Sequence, residues 1–153
     1  MIFFCIYQKI SVPLREPKKY FSMMTKEDHI KYWVDTAQKD WEAVESLFAS
    51  KNYLHALFFA HLVLEKLAKA HWVKNSQENI PPRVHNVVWL LEQSDIDMGV
   101  DTMEFLEHFN DFQLSGRYPD YTNSIYKRCT KDYTLEQLEK VKEAKRCLTE
   151  MLQ

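Results

Sequence analysis

Residues 53–75 read YLHALFFAHLVLEKLAKAHWVKN, and this stretch decides the fold. On a 3.6-residue period Leu57, Ala60, Leu64, Leu67 and Ala68 fall at helical steps, while Leu54, Phe58 and Trp72 carry apolar surface round the cylinder. Such a helix needs neighbours on several sides, which places it in the middle of a bundle. Set into it are His61, Glu65 and Lys69, spaced by four and four, so that they stack along one stripe beside Phe58 and Trp72. Polar groups in that company need partners.

The neighbours are found by working outward. Thr25-Lys26-Glu27-Asp28 has the form of a capping box, and Ile30, Val34, Ala37, Trp41, Val44 and Phe48 then recur at helical steps, with Trp33 and Leu47 beside them, through about Ala49. The link Ser50-Lys51-Asn52 is short enough to make this helix and the central one an antiparallel hairpin. Beyond the central helix, Pro81-Pro82 forbids continuation. Val84, Val87, Val88 and Leu91 predict a short helix over residues 85–92; Val-Val-Trp-Leu-Leu also reads as a strand, but no second strand is in view. Asp101-Thr102-Met103-Glu104 reads as a second capping signal, and Phe105, Leu106, Phe109 and Phe112 predict a fourth helix that stops at Gly116. Thr134-Leu135-Glu136-Gln137 reads as the start of the last helix, with Leu138, Val141, Ala144, Leu148 and Met151 as its buried stripe. The expected fold is all-α, an antiparallel bundle of four to five helices.

Composition agrees with one such domain. The chain has 153 residues, 46% hydrophobic, 27% charged and 14% aromatic, which fits a soluble globular unit with one core. Two glycines in the whole sequence argue against sandwiches, barrels and phosphate-cradling loops, and no G-x-S-x-G, Walker or G-x-G-x-x-G motif occurs. A formal net charge of -2 gives no general attraction for nucleic acid, so any contact depends on a local patch. Cys5, Cys129 and Cys147 match neither a disulfide framework nor a zinc knuckle, and no run approaches the ~20 apolar residues of a membrane span, so a cytoplasmic protein is expected. Residues 1–22 differ from the rest: a short apolar start precedes a basic tail, the reverse of a signal peptide. They are read as an arm, or as sequence upstream of a natural start at Met23 or Met24, with the domain proper at residues 23–153.

Residues 117–133, RYPDYTNSIYKRCTKDY, lack a sustained period and form the kind of long loop that carries function. Pro119 holds Arg117, Tyr118 and Asp120 close together, and Tyr121, Tyr126, Lys127, Arg128 and Lys131 add cations interleaved with rings able to stack on a base. The alternative is a loop pinned by Arg117 to a buried carboxylate such as Glu65. His55, His61 and His71 share the central helix but fall on different faces, with no H-E-x-x-H or i, i+4 histidine pair, so no metal is expected.

Glu65-Lys66-Leu67-Ala68-Lys69-Ala70, then Pro81-Pro82 with His85, then Arg117-Tyr118-Pro119-Asp120 appear in an order that resembles a HEPN domain (higher eukaryotes and prokaryotes nucleotide-binding) over about residues 25–152. The resemblance implies a small helical bundle, usually dimeric, often encoded beside a minimal nucleotidyltransferase in prokaryotic toxin-antitoxin or defence systems. Many such domains are metal-independent ribonucleases that use an arginine followed four to six residues later by a histidine, with the two copies meeting at the dimer cleft. Here Tyr121, Thr122 and Asn123 occupy those places after Arg117, and no histidine follows His108. Arg128 reaches Tyr133 at five, but a phenol with a pKa of about 10 is a poor base near neutrality.

The expected function is therefore a binding module: a homodimer that takes a nucleotide or RNA, or supports a minimal nucleotidyltransferase, without a cofactor. Candidate contacts are Arg117, Tyr118, Asp120, Tyr121, Arg128, Glu65, Lys69 and His85. For Arg117 a structural anchor that also shapes the cleft is slightly favoured over a pure ligand contact. The alternative is a divergent ribonuclease without the usual arginine-histidine motif.

Overall fold

The computed structural model describes residues 24–153, so the expectation for residues 1–22 lies outside the described residues. Three long helices carry the fold: α1 (Lys26–Ala49), α2 (Tyr53–Asn75) and, last in the chain, α7 (Lys131–Leu152). Between them lie α3 (Val87–Glu92), α4 (Val100–Phe109), α5 (Asp111–Ser115) and α6 (Ser124–Arg128), and no strand occurs among the described residues. The all-α bundle is as expected, but its helix count is higher because short segments replace one helix and part of a loop.

The α1 start is the capping box read from sequence. Asp28 N donates to Thr25 Oγ1 at 3.2 Å, and Thr25 N donates back to Asp28 Oδ2 at 3.0 Å. Ala37, Trp41 and Val44 are buried against α2, and the three-residue link turns the pair into a hairpin. Lys66 of α2 adds an ion pair across it to Asp40 at 2.6 Å. Helix α2 is covered nearly all round, by α1 on one side, α7 on another and α3, α5 and α6 over the rest. Its apolar surface is thus largely closed within one chain.

Two helix starts, those of α4 and α7, were misplaced by local signals. Helix α4 begins at Val100 with Gly99 at the N-cap, where φ is 83, and Asp97 rather than Asp101 receives a loop amide, Gly99 N at 2.8 Å. That left-handed backbone calls for glycine. Helix α7 begins a turn early: Thr130 accepts from Tyr133 N at 3.3 Å, and Thr134, the expected cap, is fully buried inside the helix. Asn86 caps α3 by accepting from Trp89 N at 2.9 Å. Along α7, Leu138, Val141, Ala144 and Leu148 are buried as expected, whereas Met151 is exposed.

The expected fourth helix is divided at Asn110 into α4 and α5. Gly116 ends α5 with φ at -70, so its role is space rather than a left-handed turn. A Cβ there would sit 2.6 Å from Phe58 Cβ. This close approach sets the following residue, Arg117, over the Phe58 ring, with 5.6 Å from Cζ to the centroid.

Candidate functional site

The polar stripe of α2 forms the centre of the site. Glu65 is 5% exposed and Lys69 7%, and Lys69 Nζ donates to Glu65 Oε1 at 2.6 Å while lying 5.3 Å above the Trp33 ring of α1. Such a pair is held by its geometry: the mutual attraction and the ring face offset the loss of water round both charges.

The loop that follows Pro81-Pro82 supplies the second partner. His85 Nδ1 lies 3.2 Å from Glu65 Oε1 and 3.1 Å from Oε2, so a carboxylate fixes the ring with Nδ1–H pointing inward. Its side chain is 46% exposed, so the ring is held by Glu65 on one side and open to solvent. A carboxylate-oriented imidazole of this kind can accept a hydrogen bond from a ligand or, when protonated, hold a phosphate.

His61 lies a turn before Glu65 and is fully buried. Asn110 joins it to the α3 start: its Oδ1 lies 3.2 Å from His61 Nε2 and accepts from Val87 N at 3.0 Å, while its Nδ2 donates to Asn86 Oδ1 at 3.1 Å. Because that oxygen is an acceptor, His61 donates from Nε2. His61 Nδ1 then has no hydrogen-bond partner and faces Glu65 Oε2 at 4.0 Å. Burial pushes the His61 pKa down, against the pull of Glu65, with His85 and Arg117 both near enough to lower it further. The same electrostatic neighbourhood therefore holds Glu65, His85 and Arg117, which are far apart in sequence.

Burial also pushes down the pKa of His71, whose Nε2 donates to the Leu148 carbonyl at 2.8 Å. Both rings stay neutral in the fold and become cationic in the unfolded chain below its ordinary value of 6.5. Their contribution is complete above that pH and is lost as pH falls through the depressed native values. The urea midpoint should accordingly drop between about pH 7 and pH 5, by less in His71→Gln; a flat midpoint would contradict neutral burial.

Arg117 makes no ion pair with Glu65, whose partners are Lys69 and His85. The pinning read from sequence is thereby corrected. Phe58, under the guanidinium, precedes Glu65 by seven residues, about 10 Å along a helix rising 1.5 Å per residue. Arg117 is exposed, Tyr118 is 75% exposed and Tyr121 wholly so. This leaves a cation over Phe58 of α2 and, in the same loop, two rings open to solvent.

Asp120 turns back into its own loop. It accepts from Thr122 N at 2.9 Å and from the Thr122 hydroxyl, from Ser124 Oγ at 2.7 Å and from Ile125 N at 3.3 Å. Those bonds, from Thr122 first and Ser124 next, hold its carboxyl well below the usual range. It thus caps α6, where Asn123 at the N-cap offers no side-chain bond, and its oxygens are already engaged. Arg128 lies over the rings of Phe112 at 5.5 Å and Tyr133 at 5.8 Å, lining a hollow with His108 and Asp111, and has no bond to the Glu65 group.

Structure thus brings together Glu65, Lys69 and His85, sets Arg117 over Phe58 on the same helix, leaves Tyr118 and Tyr121 exposed in the loop, and assigns Asp120 and Arg128 to other surroundings. Sequence reasoning missed Asn86 and Asn110. Asn86, just before an apolar run, carried a capping signal, whereas Asn110 interrupts an otherwise continuous phenylalanine spacing and gave none. No group of three or more metal-ligating side chains is assembled among the described residues, and no helix there is long and apolar enough to cross a membrane.

The HEPN domain model matches residues 30–152, which spans α1 to α7 and every residue of the site. No curated protein and no solved structure matches the chain significantly.

Proposed function

This chain belongs to the HEPN domain family, a nucleotide- or RNA-related module, and from that membership we propose that it binds a nucleotide or single-stranded RNA through Arg117, Tyr118 and His85. The observation that supports the reading is a carboxylate-oriented histidine on Glu65 and, over Phe58 on the same helix, an exposed arginine whose loop carries two exposed tyrosines. Arginine and imidazole suit the phosphate, and the rings suit the bases. Glu65 and Lys69 orient His85 from behind and do not touch the ligand. In this reading the protein is cytoplasmic and works as a homodimer. A minimal nucleotidyltransferase is the partner proposed, in a toxin-antitoxin or defence setting.

A second reading is favoured by the Glu65–His85 geometry alone. Nε2 of His85 can take the proton of an RNA 2′-hydroxyl while the 2′-oxygen bonds to phosphorus, and return it to the 5′-oxygen as that bond breaks. Such a ribonuclease would need no histidine after Arg117.

One experiment tests both: anisotropy of a labelled single-stranded RNA at low salt, followed by analysis of the same RNA for cleavage. Arg117→Ala should weaken binding roughly 10- to 100-fold, the worth of a charged hydrogen bond of about 1.5–3 kcal/mol, with little change in stability because the residue is exposed and forms no ion pair among the described residues. Tyr118→Ala should weaken it similarly through lost stacking. Wild-type affinity in both variants would refute the binding site. Cleavage that survives in His85→Gln would refute the second reading.

A further inference from the structure

From Val84 to Gly116 the chain contains no lysine or arginine, while Glu92, Asp95, Asp97, Asp101 and Glu104 all fall within it. None of those five carboxylates forms an ion pair among the described residues. On α7, by contrast, Glu136, Glu139, Glu143 and Glu150 each have a lysine or arginine within 2.9 Å. Among the described residues, then, no lysine or arginine pairs with the carboxylates of α4 and the turn before it.

That charge borders a cleft of about 560 Å³ between α4 and α7, with Met98, Phe105, Ala144 and Met151 as its apolar lining and Asp97 and Asp101 on the α4 side. On the α7 side Lys140, 5.8 Å above the Phe105 ring, and Glu143 are already paired, with Glu136 and Arg146. Over the start of α4 the cleft meets a shallower hollow of about 680 Å³ that holds Ile96, Val100 and Met103 beside Glu92, Asp95 and Glu104. Val100 is 81% exposed there. The helix dipole accounts for Asp101, in the first turn, and the Gly99 amide for Asp97. Neither accounts for Asp95 or Glu104, nor for the apolar side chains between them.

We infer that this cleft is a docking groove for a basic amphipathic helix carried by another protein. Its apolar stripe would lie on the Met98, Phe105 and Met151 lining, and its lysines and arginines along the open α4 carboxylates. Flexible methionines adapt to such a helix without a fixed pocket shape, and a shortage of cations on one side of the cleft selects the partner's sign. The groove is distinct from the nucleotide site, which lies along α2 and the 117–121 loop.

The probe is a synthetic leucine-lysine amphipathic helix, compared with the same peptide bearing glutamate for lysine. Wild-type protein should bind the lysine peptide with a micromolar Kd that weakens with salt, and Asp97→Lys/Asp101→Lys, both at exposed positions, should bind at least 10-fold more weakly. Arg117→Ala should bind it as wild type does, so failure here is separable from failure of the nucleotide reading. Cys147 lines the cleft and Cys129 is buried, so in a Cys5→Ser background bound peptide should slow alkylation of Cys147 several-fold. Equal binding of both peptides, equal binding by the charge-reversed variant, or an unprotected Cys147 would overturn the inference. So would self-association of the wild type that Asp101→Lys abolishes, because the occupant would then be a second copy.

Discussion

Glu65→Ala should lower stability by about 3–5 kcal/mol, close to the largest loss any one polar substitution can cause in a domain of this size. The reason is the stranded partner. Lys69 is 7% exposed, its ammonium is set against Glu65 at 2.6 Å, and without the carboxylate it keeps only the Trp33 face. His85 loses its inward acceptor at the same time. Lys69→Ala should be comparably damaging from the other side. Replacing both, as Glu65→Leu/Lys69→Met, removes the charges together and should recover most of the loss, since an apolar pair of similar volume has no desolvation to offset. Guanidinium denaturation of the three variants reads this directly; a double variant as unstable as the singles would show that packing, not charge, governs the position.

Asn110→Leu should follow, at roughly 2–5 kcal/mol. Its side-chain oxygen receives Val87 N at 3.0 Å and pairs with His61 Nε2 at 3.2 Å, and its amide donates to Asn86. Leucine matches its size but leaves two donors, one on a fully buried ring, without an acceptor, and each orphaned group costs about 1–3 kcal/mol. Urea denaturation measures the loss, and amide exchange should show α3 opening ahead of α1 and α2, because Asn110 ties the start of α3 to α2. A cost below about 1 kcal/mol would mean that water replaces the side chain.

The two substitutions also mark the limit of what the sequence reveals. Helices α1, α2 and α7 were legible because long runs at helical steps have one reading, and the 53–75 stretch had too few polar positions to lie on a surface. Boundaries were less so. Thr130 and Thr134 are both possible caps one turn apart, and the fuller capping-box pattern at Thr134 misleads because that residue is buried inside the helix. Within the site, the His61, Glu65 and Lys69 stripe follows from i, i+4 spacing and is found as expected. His85 was a candidate through the family resemblance, but its bond to Glu65 joins residues that no local pattern relates, and the same holds for Asn110 and His61. The mistaken Arg117–Glu65 pair has the same origin. Residue types allow that ion pair, while the close approach of Gly116 to Phe58 places the arginine two turns away along α2.

The central claim is that ligand phosphate is received between Arg117 and His85. Chemical-shift mapping of the wild-type protein titrated with AMP and then with a short single-stranded RNA tests it without any substitution. The account predicts that the largest shifts fall on the Arg117 guanidinium, on backbone amides of residues 117–121 and on the His85 ring, with smaller ones at His61. Shifts gathered in the α4–α7 cleft, or an unchanged His85 ring at saturation, would contradict it.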